Sequence, residues 1–389
     1  MLTPLVFAAS FTAIAAAQHL APSTLEEQGL WQRVAEEQSA VDRSGFVLEE
    51  PALEAYLQEI VARLAAVDGL AADDFSVKLL RDPTLNAFAY ANGRLYIHTG
   101  LLARMLNEAQ LAAVLAHEMT HATHKHTLRS QRSLKTKSGI LQAISLSAPV
   151  AGNYSPLVDL LGAYGTAAAV SGYSKGLESE ADEVGWQRMR KCGYDTGEAP
   201  VVFRVLMADL SEHARNEPFF FGTRPKLVDR EKNFERLNAA DKGHTGGDKG
   251  EERFAKATLR VLLINGELEM RAGRHDAARD QLWRYRAADP SSVRVRWLLG
   301  ENERIAGAKG DPAEARKLLE EALAMDETFA PAHRSLGILL YRTGDLAAAA
   351  PHLRRFLELD RTAHDRAYIE AYLETCEPSP PPSAPAPAS

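Results

Sequence analysis

Among the 389 residues, the five best arranged for chemistry are His117-Glu118-Met119-Thr120-His121. Their neighbours predict a helix. Asn107 is placed to cap it, Glu108 lies in its first turn, and Leu111, Val114, Leu115 and Met119 form an apolar stripe at three- and four-residue spacing. At about 3.6 residues per turn, His117 and His121 share one face a turn apart. Both imidazoles can then reach one tetrahedral zinc ion. Glu118, beside the first histidine, is placed to take a proton from water activated by that ion.

Such an ion needs a third protein ligand. Between Glu118 and Glu178 there is no glutamate, and the only aspartate is Asp159. The metzincin extension would put Gly and His three and six residues after His121, where this chain has His124 and Thr127. Nor does a glutamate follow about twenty residues downstream, as in thermolysin-like enzymes. The first acidic cluster is Glu178-Ser179-Glu180-Ala181-Asp182-Glu183. Read as a helix, it puts Glu178 and Asp182 on one face, so that one can ligate the metal while the other orients a ligating histidine. Alone, such a run is an ordinary solvated face; beside His-Glu-x-x-His the metal reading is preferred.

Four stretches, in order, resemble peptidase family M48, the group of the HtpX-type and CAAX prenyl proteases. They are Asn86-Ala87-Phe88-Ala89 leading through Gly93 and Tyr96 to Thr99-Gly100-Leu101-Leu102; His117-Glu118-x-x-His121 with His126 beyond; Ser174-Lys175-x-x-Glu178-x-x-Ala181-Asp182-x-x-Gly185; and Thr223-Arg224-Pro225 followed by Arg230. The resemblance runs through residues 30–235. It implies one Zn2+ per chain held by His117, His121 and Glu178, with Glu118 as catalytic base and Asp182 behind a ligand. Arg224 departs from the family's usual histidine, so a role for that imidazole does not carry over. Arg230, with Arg224 as a second candidate, is expected to stabilise the developing oxyanion, because arginine donates charged hydrogen bonds but cannot ligate zinc.

The elements around these residues are expected as follows. Leu25–Arg43 and Pro51–Val67 read as amphipathic helices, and Phe75–Leu80 and Arg94–Thr99 as strands. The second strand alternates Leu95 and Ile97 with Arg94, Tyr96 and His98, which suggests a half-buried edge along which a substrate strand could add. On that pattern His98 is a surface residue; His126 is structural and His124 exposed. Lys125, Arg129, Arg132, Lys135 and Lys137 form a basic strip, read as a solvated face, with contact to anionic lipid or substrate as the alternative. Gly139–Val170 holds no apolar run of about 18 residues and reads as two short helices around the Pro149–Pro156 turn, a flap over the site and a source of latency.

A net charge of −7 with 46% hydrophobic residues describes a soluble globular protein and offers no case for nucleic-acid binding. The length suits two domains. Cys192 and Cys376 are too few for a metal cluster, and two unpaired buried thiols are preferred over one disulfide. Leu5–Ala17 is a short apolar run ending in Ala15-Ala16-Ala17, so residues 1–17 read as a signal peptide, without the usual early Lys or Arg. That predicts export to the periplasm, with peripheral membrane association open.

After Leu237 the composition changes. Residues 239–251 are rich in Gly and charge and read as a linker between a metallopeptidase domain over 18–238 and a repeat domain over 252–376. Gly273, Gly310 and Gly344 recur at intervals of 37 and 34 residues. Leu282, Leu319 and Leu353 keep those intervals, as do Ala278, Ala315 and Ala349, and Asp289, Asp326 and Asp360. The period is tetratricopeptide-like, the extra three residues fitting a loop around Gly307–Lys309. Residues 377–389, mostly Pro, Ala and Ser, read as disordered.

The expected architecture is α+β, a mostly helical zincin of gluzincin type with a small sheet, then an all-α tetratricopeptide-like solenoid. The order resembles the BepA-like periplasmic branch of the family. It implies a zinc metalloendopeptidase acting on misfolded or misassembled envelope proteins, with the repeats docking substrate or outer-membrane assembly machinery. The alternative is a chaperone-like adaptor whose protease is normally latent.

Overall fold

The computed structural model describes residues 19–136, 173–212, 224–241 and 246–377, with the side chains of 134–136, 210–212 and 224–226 left out. The signal segment 1–17, the Gly139–Val170 flap with Asp159, Thr223 and nearly all of the 377–389 tail lie outside the described residues. The chain divides into two units, Met1–Thr258 and Leu259–Ser389.

In the first unit, helices α1 (Leu25–Arg43) and α2 (Pro51–Ala66) flank a two-residue strand β1 (Val47–Leu48). Strands β2 (Ser76–Leu80), β3 (Ala87–Ala89) and β4 (Arg94–His98) complete a four-stranded sheet in the order β1-β2-β4-β3. Strand β4 runs parallel to β2 and antiparallel to β3, with Ser76 opposite Arg94 and Phe88 opposite Tyr96. The sheet therefore corrects two expectations. Strand β4 is internal, so among the described residues the edges belong to the short strands β1 and β3, of which β3 lies beside β4. His98 and Tyr96 are buried, at 3% and 1% exposure, because their polar ends find partners inside: His98 Nδ1 lies 2.7 Å from Thr84 Oγ1, and Tyr96 donates to Asp42 at 3.3 Å. Alternation in the sequence marked two faces, but both are covered. Leu30, Val34 and Val41 of α1 pack with Leu80, Phe88 and Tyr96.

Next come α3 (Thr99–Arg104), α4 (Glu108–Thr123) and α5 (His126–Thr136). Asn107 caps α4 as expected, its side chain accepting from the Gln110 N–H at 2.9 Å. Helices α6 (Lys175–Lys191), α7 (Glu198–Glu212) and α8 (Arg224–Ala240) follow. Helix α6 lies along α4, and Gly185 is the reason it can: a Cβ there would stand 3.1 Å from the His117 main-chain nitrogen. Arg188, 2% exposed, locks the pair. It donates to Ala116 O at 3.1 Å, to Thr120 Oγ1 at 2.7 Å and to Asp68 at 2.6 Å.

The stretch read as a linker is not a free tether where it is described. Asp248 bridges Tyr194, Ala109 donates to Lys249 O at 3.0 Å, and Lys249 pairs with Glu198 at 2.6 Å. The unit boundary falls later, inside α9 (Glu251–Arg271).

In the second unit, α10 (His275–Ala288) and α11 (Val293–Ile305) lead into a short 3-10 turn at Gly307–Lys309. Helices α12 (Pro312–Met325), α13 (Ala330–Arg342), α14 (Leu346–Leu359) and α15 (Arg366–Cys376) complete it. The recurring Ala278, Ala315 and Ala349 and Leu282, Leu319 and Leu353 are all fully buried between successive helices. Two of the three recurring glycines, Gly273 and Gly344, take positive φ at the turns, but in the longer loop Gly307 takes that role and Gly310 does not. The molecule is thus α+β followed by an all-α solenoid. Among the described residues no helix is long and apolar enough to cross a membrane.

Candidate metal centre

Helix α4 presents His117 and His121 from successive turns, both buried, with Glu118 buried beside them. Their Nε2 atoms converge to 2.9 Å. Each outer nitrogen is engaged: His117 Nδ1 lies 2.9 Å from Asp182 Oδ1, and His121 Nδ1 lies 2.8 Å from His126 Nδ1. Glu178, in the first turn of α6, puts Oε2 3.4 Å from His117 Nε2. Its other oxygen accepts from the Tyr173 N–H at 3.2 Å, and the Tyr173 ring stacks on His121 with centroids 4.2 Å apart.

With both Nδ1 sides occupied, the two Nε2 atoms are left facing each other, with Glu178 Oε2 beside that of His117 and a Glu118 oxygen within 4.8 Å of a nitrogen of each ring. Lone pairs at such distances repel unless a proton or a metal cation lies between them, and N, N, O is a donor set that zinc accepts. The residues fit the ion. Burial opposes the charge of Glu178, but His117 and then Arg230 hold its carboxyl down to about 2.

Glu118 is held differently. Burial pushes its carboxyl up to about 8, with His117 opposing the rise and Glu178 adding to it. The Ala89 main chain of β3 hydrogen-bonds the carboxylate, while Oε1 is buried without a hydrogen-bond partner among the described residues. The edge strand thus meets the carboxylate in the cleft.

Arg230 reaches the site from α8. Its Nε lies 3.1 Å from both Asp182 oxygens and one terminal nitrogen donates to Oδ1 at 2.5 Å. That terminal nitrogen is also 2.9 Å from His117 Nδ1. One imidazole nitrogen cannot both donate to Asp182 and accept from arginine, so the carboxylate takes the His117 proton and the guanidinium neutralises that carboxylate. The sequence expectation aimed Arg230 at an oxyanion; the structure seats it on Asp182, 3.7 Å from Glu178 Oε2. Arg224 begins α8, its side chain outside the described residues.

Other expectations change here. His124 is half-buried and paired with Glu180 at 2.7 Å, not simply exposed. His126 is structural, as read, but touches His121 directly. In the basic strip, Lys125 pairs with Glu27, Arg129 with Glu180 and Arg132 with Glu26, so these three cations already have acidic partners. Cys192 and Cys376 are free thiols, but half-buried rather than buried. Sequence reasoning missed Arg188 and Tyr173, neither of which sits in a periodic or acidic pattern.

A helix bearing His-Glu-x-x-His, backed by a small sheet and met by an acid from a later helix, brings together the side chains that a zincin-type centre would use. Residues 51–238 match Peptidase family M48 and residues 304–364 match a tetratricopeptide repeat. The first unit thus carries an M48-type peptidase region, and C-terminal tetratricopeptide repeats follow it. It is similar to the beta-barrel assembly-enhancing protease of Yersinia pestis, 28% identical over 232 residues, which cover 57% of this chain and 46% of that one. The Escherichia coli protein of the same name is 26% identical over 186 residues, covering 47% and 38%. The mitochondrial metalloendopeptidase OMA1 of Schizosaccharomyces pombe is 28% identical over 153 residues, covering 39% and 44%. Each match spans less than half of the relative's own length.

Proposed function

We propose that this chain is a zinc-dependent endopeptidase of the cell envelope, exported to the periplasm, that cleaves misfolded or misassembled proteins there. The observation that carries the reading is the convergence of His117 Nε2, His121 Nε2 and Glu178 Oε2 beside a buried carboxyl, Glu118. Bound there, zinc would supply Lewis acidity, polarising a scissile carbonyl and lowering the pKa of water. Glu118 accepts the proton of the attacking water and passes it to the leaving amine, without a covalent intermediate. Asp182 fixes the His117 ring by accepting its Nδ1–H, and Arg230 keeps Asp182 ionised and in place. The free edge of β3, whose Ala89 already bonds Glu118, is where an extended substrate strand would add.

The names of the relatives support an envelope substrate, and the repeats support docking of substrate or of outer-membrane assembly machinery. The apolar run before Gln18 supports export. The test is metal content and hydrolysis of casein by the full chain. Glu118→Gln should keep its zinc and lose activity by about 10²–10⁴-fold, since an amide cannot take the proton. Glu178→Ala should lose zinc while Asp159→Ala keeps it. Activity of Glu118→Gln within tenfold of the parent would overturn the mechanism, and zinc loss from Asp159→Ala alone would overturn the ligand set.

A further inference from the structure

Beside the centre lies a second group with ligand chemistry, His124, His126 and Glu180, whose nitrogen and oxygen atoms all lie within 4.8 Å of one another. Glu180 Oε1 is 2.7 Å from His124 Nδ1 and 3.7 Å from His126 Nε2, and Arg129 donates to both carboxylate oxygens at 2.9 Å. Two observations decide against a second ion. The Arg129 guanidinium already donates to both oxygens of the carboxylate that would have to ligate. More telling is the proton count on the histidines. If His121 Nε2 faces the catalytic ion, the single proton of that neutral ring sits on Nδ1 and points at His126 Nδ1, 2.8 Å away. His126 Nδ1 must then carry the lone pair, and its own proton must be on Nε2. A protonated Nε2 donates; it cannot ligate.

That Nε2 is fully buried and, among the described residues, faces the Glu180 carboxylate at 3.7 Å without a closer hydrogen-bond partner. A nearby negative charge favours the proton on the facing nitrogen, which leaves the lone pair on the nitrogen that His121 needs. We propose that His126 is the positioning residue of His121, accepting its Nδ1–H and so fixing the ring, with Glu180 selecting the tautomer of His126. The inference rests on the reading of His117 and His121 as zinc ligands. It makes the acidic helix α6 serve both histidines: Asp182 holds His117 directly, and Glu180 holds His121 through an intervening imidazole. Acids behind ligating histidines raise their basicity and fix their orientation.

The test is zinc affinity of the full-length protein, measured by titrating zinc into chelator-stripped protein against a chromophoric chelator. Asparagine sets an oxygen near the place of Nδ1, whereas glutamine reaches the place of Nε2. His126→Asn should therefore bind zinc within about threefold of the parent, and His126→Gln about 10–100-fold more weakly. A cobalt-loaded sample adds a spectroscopic check, since the visible bands should move in the Gln variant and stay in the Asn variant. Equal affinities for the two variants, or Asn weaker than Gln, would overturn the proposal. A parent protein that binds no zinc, or His121→Ala that binds it as tightly, would instead overturn the ligand reading beneath it.

Discussion

At the residue scale, the centre shows how one environment can set two carboxyls apart. Glu178 faces His117 and Arg230 and stays ionised; Glu118 is as enclosed but lacks a cation of its own, and burial dominates. Arg230 is the residue whose role the geometry redefines. If it holds Asp182 and through it His117, Arg230→Ala should weaken zinc binding by about 10–100-fold. Arg230→Lys should recover only part of this, because an ammonium cannot span both Asp182 oxygens and approach His117 at once. Zinc titration checks this directly. Unchanged affinity with a fallen kcat would restore the role in oxyanion stabilisation that the sequence suggested.

At the element scale, helix α4, which carries the histidine pair, is clamped at both ends. At its carboxyl-terminal half Arg188 bonds Ala116, Thr120 and Thr123. At its amino terminus Glu108, fully buried, accepts from Tyr56 at 2.7 Å, from Tyr194 at 2.6 Å, from Arg253 at 2.5 Å and from Arg63. Burial alone would raise this carboxyl, but Arg253, the two tyrosines and Arg63 bring it down to about 2 from 4.5. A depressed carboxylate stabilises the fold fully above its unfolded value and loses that contribution as pH falls through the folded one. The difference corresponds to about 3 kcal/mol. Unfolding followed by urea should therefore show stability falling as pH drops from about 4.5 toward 2, and Glu108→Gln should flatten that slope. An unchanged slope would mean that other acids govern the acid limb. Arg188→Met should cost about 3–5 kcal/mol, because it strands buried acceptors on α4 and leaves Asp68 with Lys191 alone of its two cationic partners.

These clamps mark the limit of what was legible. Helices α4 and α6 could be read because capping, apolar spacing and the i, i+4 acids are local signals. So could the helix boundaries Leu25–Arg43 and Pro51–Ala66, the latter to within one residue. Strand β3 could not: Ala87-Phe88-Ala89 is too short to show alternation, and it is recognisable only by its pairing with β4. The burial of His98, the pairing of Lys125, Arg129 and Arg132 and the reach of Arg188 all depend on partners 14 to 120 residues away, which no local pattern encodes.

At the scale of the whole molecule, the instructive error is the linker. Glycine and charge together normally signal a flexible tether, and residues 239–251 have both. Where the segment is described, from Gly246 on, they serve close packing. A Cβ on Gly247 would stand 2.5 Å from the Asp195 nitrogen, and Gly250, at φ +63°, lets the chain turn so that Arg253 reaches Glu108. Phe254, one residue further on, is 2% exposed. The charges are spoken for as well: Lys249 on Glu198, Asp248 on Arg253. The segment from Gly246 to Thr258 is thus a strap belonging to the peptidase unit, and a division at the compositional boundary removes it. A fragment of residues 19–240 should unfold well below one of residues 19–258, because it leaves Glu108 buried with fewer donors and uncovers the apolar surface under Phe254. Loss of about 3–5 kcal/mol, the usual cost of breaking a buried ion pair, lowers the Tm of a unit this size by about 10 °C. Thermal unfolding of the two zinc-loaded fragments checks it, with Arg253→Ala in the longer fragment expected to reproduce most of the difference. Equal melting temperatures would return the strap to the status of a tether and place the end of the peptidase unit at Ala240.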